Sequence, residues 1–383
     1  MRIALLTTCH LEYVAQLANS LASCDEVSVH ILDGINYLVP QRGRFPNREQ
    51  IQLFRKEYET YLNGMVRLGY INPWPYKWDP RGLFGIWHLV RAVVKDRPDV
   101  LHVQEALDFR IFLVAMALRD IPLVLTVHDP RVRWGDKPRF YSKVELGLRA
   151  IIRKRAKRII VHSQKLKEML LGDLELSRKR VAVIPHGAYN IYWRWYNPDI
   201  GEDEGSVLFF GRLVPSKGLD CLIQAEPLIT AKCPFAKFVI AGEGDEWERC
   251  KRFVVHPEKF VVQNHYVPNH NVAALFQQAS IIVLPYKDAS QSGVAVLAFA
   301  FGKPVVATRV GGIEELVDDG ITGILVPPND PEALADALTR LLTDTELRRK
   351  MGHNALSKAQ RELSWDRVAE MTRHVYEEAI SYP

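Results

Sequence analysis

Two cations, Arg212 and Lys217, stand in the string FFGRLVPSKGLD at residues 209–220. Gly211 precedes the first and Gly218 follows the second, so the chain can turn sharply before a helical pattern begins at Lys217. A helix N-terminus offers free N–H groups to an anion, and two cations beside it suit a phosphate or diphosphate. Taken alone, two basic residues in an exposed loop give the same string. A second stretch, DASQSGVAVLAFAF at 288–301, sets Asp288, Ser290, Gln291 and Ser292 before an apolar helix that opens with Gly293 and Val294. Small residues let backbone N–H groups approach a phosphate, and the helix dipole adds positive potential. A strand-to-helix turn capped by Ser accounts for it equally well. Glycine turns recur at AGEGDE (241–246), with Glu243, and at VGGIEEL (310–316), with Glu315. Each is open to a plain capping explanation. Four such turns, all at the carboxyl ends of strand patterns in one half of the chain, point together to an anion-binding edge.

The elements that must position these turns follow from the apolar runs. RIALLTT, VSVHIL, DVLHVQ, PLVLTVH, RIIVHS and VAVIP read as strands, with helical patterns at Leu11–Ala22, Gly82–Val94, Phe109–Leu118 and Lys143–Lys157 between them. Continuous apolar strands separated by helices predict a parallel sheet covered on both faces. The string HGAYNIYWRWYNPDIGEDEG (186–205) breaks this rhythm, and the alternation then restarts with SVLFFGR, AKFVIAGEG, KFVVQ, IIVLPY, PVVATRV and GILVPP. The expected fold class is therefore α/β, with two doubly wound, Rossmann-like units facing across a cleft. Their expected limits are 1–187 and 206–364, joined by a linker at 188–205, with a last helix at about 365–383 packing back on the first unit. Residues 36–90 read as a long insertion rich in aromatics and arginines. Helix starts are signalled at Asp330, Thr345 and Ser364.

Bulk properties exclude several classes. The 383 residues are 48% hydrophobic and 25% charged, with no low-complexity tract, and no run of apolar residues is long enough to span a bilayer. Cys9, Cys24, Cys221, Cys233 and Cys250 show no paired spacing, which fits a reduced, cytosolic chain, soluble or resting at the inner face of a membrane. The net charge of +5 divides unevenly: residues 1–200 carry 31 Lys/Arg against 20 Asp/Glu, and the remainder carries 19 against 25. A basic half attracts phosphates of a nucleotide, a nucleic acid or a lipid headgroup. The basic string LRAIIRKRAKRII (148–160) has helical apolar spacing and no accompanying nucleic-acid motif, so it reads as a solvated face or a membrane-surface contact. The twelve histidines show no metal-ligand spacing, and no metal site is expected.

The order of motifs resembles the retaining glycosyltransferases of family 4, the group-1 glycosyltransferases with the GT-B fold. The resemblance rests on VIPHGAY, FFGRLVPSKGLDCLIQA, FVIAGEGDE, FGKPVVATRVGGIEELVDDGITGILVPPND and SWDRVAEMTRHVYEEA, and covers residues 181–383 almost continuously. In the first half it rests on LTVHDP (125–130), AKRIIVHS (156–163) and the opening strand. It implies a nucleotide-sugar donor held by the second unit and a saccharide or lipid-linked acceptor held by the first, without a metal cofactor. Arg212 and Lys217 match the family's diphosphate-binding pair, His128 its histidine near the donor sugar, and Glu315 the Glu after the glycine pair. It further implies retention at the anomeric carbon by same-face attack, in polysaccharide or glycolipid biosynthesis.

Two departures stand out. The family's Glu-x7-Glu pair is replaced by Ala289 and Leu297, which puts ribose recognition in question and leaves a catalytically inactive sugar-nucleotide-binding module, or an epimerase of the same fold, as alternatives. The loop after the first strand holds Thr8, Cys9, His10 and Leu11 where the family commonly has two glycines. Trp74, Trp78, Phe84, Trp87, Trp193 and Trp195 either meet an anionic leaflet, from which a lipid-linked acceptor would come, or pack a core or sugar cleft.

Overall fold

The computed structural model describes residues 1–8, 10–32, 48–72, 81–105, 108–131, 143–173 and 176–381. The apolar runs of the first half form β1 (Arg2–Thr7), β2 (Glu26–Ile31), β3 (Val66–Ile71), β4 (Val100–Gln104), β5 (Leu123–Thr126), β6 (Arg158–Val161) and β7 (Val181–Val183). They pair in parallel in the order β3-β2-β1-β4-β5-β6-β7. The second half forms β8 (Ser206–Phe210), β9 (Lys237–Ala241), β10 (Phe260–Gln263), β11 (Ile281–Leu284), β12 (Val305–Thr308) and β13 (Gly323–Val326). These are also parallel, in the order β10-β9-β8-β11-β12-β13. Helices bury both faces of each sheet, which is why central residues such as Leu5, Leu101, Ile282 and Val306 are inaccessible and the strands read as unbroken apolar runs. Strand order reverses between β1 and β4 and again between β8 and β11. At such reversals the flanking loops diverge and leave a crevice at the carboxyl ends.

The structure differs from the sequence reading at β3 and at Lys217. Residues 36–90 contain a strand, β3, which runs along the edge of the first sheet. Arg67 and Gly69 interrupt its apolar character, and an edge strand needs less burial, so its signal is weak. Lys217 closes a short 3₁₀ turn, Pro215–Lys217, and the α-helix begins only at Leu219, after Gly218 in the left-handed region at φ 67°. The helix expected to start at Thr345 does so, as Thr345–Arg361, with Asp344 Oδ1 capping it by accepting from the Leu347 N–H at 2.9 Å.

The last helix, Trp365–Ser381, packs on the first sheet beside the helix Leu11–Leu21. Val368, Val375 and Tyr376 join one apolar cluster with Val14, Leu17 and Ile160. Trp365 anchors the crossing: its ring meets Tyr13 edge-on at 4.9 Å and its Nε1–H donates to the Ala188 carbonyl at 2.6 Å. Trp365→Ala is expected to lower stability by about 3–5 kcal/mol through the lost ring. Trp365→Phe should cost less, about 1–2 kcal/mol of it from the unmet carbonyl. Urea unfolding measures both, and a Trp365→Ala protein as stable as the parent would refute the anchoring role.

Candidate active site

The four glycine turns of the second domain interlock at the carboxyl edge of its sheet. Gly211 N–H donates to the Ala241 carbonyl and Leu213 N–H to the Glu243 carbonyl, both at 2.9 Å, which ties the Arg212 turn to the Glu243 turn. Lys287 N–H donates to the Ser216 carbonyl and Gly312 N–H to the Ser290 carbonyl, each at 2.8 Å, joining the remaining two. At Gly311, φ is 52° and a Cβ would lie 1.5 Å from the Ala289 carbonyl oxygen, so no other residue fits there. Val294 borders Gly211, and the Tyr189 ring lies over Gly293.

Arg212 is exposed at this edge and Lys217 half-buried. The Lys217 ammonium sits 3.6 Å from the centre of the Tyr286 ring, and the Tyr286 hydroxyl lies 3.5 Å from Ser292 Oγ. Tyr286 thus ties the cation to the head of the helix Gly293–Ala300. Ser292 is its N-cap, accepting from the Ala295 N–H at 3.2 Å. Ala289 and Leu297, at the positions of the family's acid pair, are both buried in the apolar core of this domain. Ser290 is buried beneath the same turn, while Asp288 and Glu243 lie nearer solvent.

Glu315 follows the glycine pair of the fourth turn and reaches toward the first domain. Its carboxylate accepts from the backbone N–H groups of Gln164 and Lys165, at 2.7 and 2.6 Å, and so caps a first-domain helix, Gln164–Asp173. The unpaired N–H groups and positive end of that helix draw the carboxylate across the domain boundary.

The first domain supplies histidines. His10, His128, His162 and His186 follow the carboxyl ends of β1, β5, β6 and β7, and the parallel sheet sets those ends side by side. His10 stacks on His128 with ring centres 3.9 Å apart, His128 lies 4.8 Å from His162, and His162 lies 5.2 Å from His186. The Gln291 carboxamide reaches from the second domain to within 3.1 Å of His128 Nδ1. Sequence reasoning picked out His128 and Gln291 separately and missed His162, His186 and Gln104, which lies 2.8 Å from His128 Nε2. A histidine just past each of four strands was the available signal.

Several expectations find other places in the fold. Trp193 stacks on Phe301 and donates to the Ala300 carbonyl while staying exposed, and half-buried Trp195 packs with Tyr61 and Tyr192. Trp74 and Trp78 lie outside the described residues. In the basic string, Arg149 and Arg153 turn inward to grip Glu105, with contacts of 2.5 and 2.7 Å, and do not form a solvated face. Among the described residues, no group of three or more His, Cys, Asp and Glu is arranged to hold a metal ion. Nor is any described helix long and apolar enough to cross a membrane.

Two facing parallel α/β units with a site at their carboxyl edges define a GT-B protein. Residues 12–188 match the Glycosyltransferase Family 4 profile and residues 204–344 match Glycosyl transferases group 1. An uncharacterized glycosyltransferase of Methanocaldococcus jannaschii is 30% identical over 74% of this chain and 76% of its own. The D-inositol 3-phosphate glycosyltransferase of Paenarthrobacter aurescens is 27% identical over 77% and 78%. Among solved structures, sucrose-phosphate synthase of Thermosynechococcus elongatus superposes with a TM-score of 0.72 at 20% identity, covering 98% of both chains. Anabaena HepE in complex with UDP and glucose gives 0.71 at 17% identity, covering 98% and 99%. The chain belongs to the group-1, family-4 glycosyltransferases and is a glycosyltransferase of GT-B fold.

Burial, with a smaller contribution from neighbouring imidazoles, pushes His128 and His186 well below the usual histidine range. Burial likewise lowers His162 to about 4 and His102 to about 3. The unfolded chain takes up these protons near pH ~6.5 and the folded one does not. Stability is therefore fully present above that pH and declines below it, by up to about 1.4 kcal/mol per pH unit for each histidine. Urea titrations at about pH 7.5 and 5 should show the loss, with a shallower slope in His186→Gln. Equal stability at the two pH values would refute a cluster of buried neutral rings.

Proposed function

We propose that this glycosyltransferase moves a sugar from a nucleoside diphosphate to a saccharide or lipid-linked acceptor, with retention at the anomeric carbon and without a metal cofactor. The observation that carries the reading is the interlocked edge of glycine turns, where Arg212, Lys217 and the head of the Gly293 helix converge. The leaving group is a diphosphate, and charge that develops on it is met by two cations and by amides already in place. HepE, of the same fold, forms complexes with UDP and with UDP-glucose, which supports a nucleoside diphosphate at this edge. Asp288, Ser290 and Gln291 border the sugar, and His128 faces them from the first domain. Glu315 and Glu105 are held by a helix end and by arginines, and Ala289 and Leu297 carry no acid. With no carboxylate assigned as nucleophile, same-face attack assisted by the departing phosphate is the step we favour.

Lys217→Ala is expected to lower transfer from UDP- or GDP-sugars by about 100- to 1,000-fold while leaving the melting temperature close to that of the parent. Proton NMR of the product reads the anomer directly. Near-parental turnover in the variant, or an inverted product, would overturn the reading. Binding of donor with no turnover across donors and acceptors would instead favour a sugar-nucleotide-binding module.

A lipid-linked acceptor is favoured by one further surface. The helix Gly82–Asp96 buries Ile86, Leu89 and Val93 but leaves Leu83, Phe84, Trp87 and Val94 more than half exposed. Arg91 lies over Trp87 at 4.6 Å, and Lys95 closes the helix. Apolar side chains set among cations suit the interface of an anionic bilayer. The protein should pellet with anionic vesicles at low salt and less with zwitterionic ones, and Phe84→Ala/Trp87→Ala should abolish the difference. Equal pelleting by parent and variant would exclude this face.

A further inference from the structure

A line of polar groups, buried at every member but one half-buried cleft contact, runs beneath the cleft from the terminal helix to the far edge of the first sheet. Tyr376 Oη lies 2.6 Å from His102 Nδ1, and His102 Nε2 lies 2.7 Å from Thr126 Oγ1. The Gln104 carboxamide comes next, one end 3.3 Å from His102 Nε2 and the other 2.8 Å from His128 Nε2. His128 Nδ1 is 3.1 Å from His162 Nε2, and His162 Nδ1 ends the line 3.0 Å from the Ile184 carbonyl oxygen. The half-buried contact is Gln291, whose carboxamide nitrogen is set 3.1 Å from His128 Nδ1.

One end of this line has a fixed sense. A carbonyl oxygen only accepts, so His162 Nδ1 carries the hydrogen it gives to Ile184. Burial keeps His162 neutral, so its Nε2 is a bare lone pair. The atom facing that lone pair, His128 Nδ1, must then bring the hydrogen. His128 Nε2 is left bare and takes a hydrogen from the NH2 of Gln104, which requires this carboxamide to be turned end for end from the orientation with Oε1 toward His128. Its two ends are alike in shape and sorted only by their partners. The Gln104 oxygen accepts from His102 Nε2–H, and the Tyr376 hydroxyl donates to His102 Nδ1. With the opposite sense, two lone pairs would face each other at 3.1 Å between His162 and His128.

We propose that this relay holds His128 as the Nδ1–H tautomer and that His162 is the positioning residue that sets it. The consequence for transfer rests on the placing of His128 beside the donor sugar given above. Nδ1 is the ring atom nearest the second domain, and its hydrogen goes to His162. The Gln291 carboxamide, sorted like Gln104 by its partners, turns its oxygen toward it, so His128 shows the cleft no bare lone pair. With Nδ1–H held by His162 and Nε2 occupied by Gln104, neither ring nitrogen is open to proton abstraction, so His128 serves transfer as a fixed neutral ring and not as a general base.

The full-length protein labelled with 15N-histidine, without ligand and at about pH 7.5, tests this by long-range proton–nitrogen correlation, with His128 assigned through His128→Gln. A protonated Nδ1 and bare Nε2 are expected, and an Nε2–H form would overturn the proposal. That spectrum needs no substrate, so its failure is separate from failure of the donor reading. His162→Phe keeps a ring and removes both nitrogens. His128 should then shift toward the Nε2–H form and kcat should fall about tenfold, equivalent to about 1.4 kcal/mol. Affinity for UDP or GDP should stay within about twofold. An unchanged tautomer in that variant would remove His162 from the role. Gln104→Leu should retain the Nδ1–H form, because His162 still demands it, and a switch there would place control at Gln104 and overturn the assignment.

Discussion

At the seam between the two domains, a carboxamide from one half meets an imidazole from the other, Gln291 with His128 at 3.1 Å. Neither group is charged, and that neutrality is the constraint on which the arrangement rests. A seam lined by buried groups has little room for unpaired charge, because each ion would lose its hydration without a counter-ion to replace it. The first domain meets the constraint with rings held neutral by burial and satisfied by carbonyls, a carboxamide and one another. Glu315 carries charge across the boundary, and it does so against two backbone N–H groups and a helix end that match it.

Charge and neutrality are thereby divided between the halves. The second domain, net negative by sequence, holds the cations assigned to the diphosphate, because its glycine turns set Arg212 and Lys217 at a sheet edge rich in backbone amides. The basic first half uses much of its excess internally. Arg149 and Arg153 hold Glu105, Arg110 pairs with Asp108, and Arg158 reaches Glu378 on the terminal helix. Net charge per half was therefore a poor guide to where an anion sits. What counts is which cations remain near free amides at the carboxyl edge.

The missing acid pair has a packing explanation. Ala289 and Leu297 are not exposed replacements awaiting a ligand but members of the apolar core that supports the Gly293 helix. The phosphate recognition proposed for backbone and cations does not depend on those side chains. Any contact made by an acid at position 297 would have to be supplied from elsewhere, or be absent.

Sequence alone determined the parallel α/β character, the two-unit division and the second-domain turns, because apolar runs, glycines and helix starts are local signals whose spacing survives without a fold. It missed β3, whose single neighbour leaves it half-exposed and interrupted by Arg67 and Gly69. It also passed over the histidine cluster. His10, His128, His162 and His186 are far apart along the chain, and only the strand order of a parallel sheet puts their loops side by side. Which hydroxyls act as caps, which arginines turn inward and which ring nitrogen carries a hydrogen were likewise decided by tertiary contacts. Those outcomes depend on partners brought near by packing, and no spacing in the chain encodes a partner's distance.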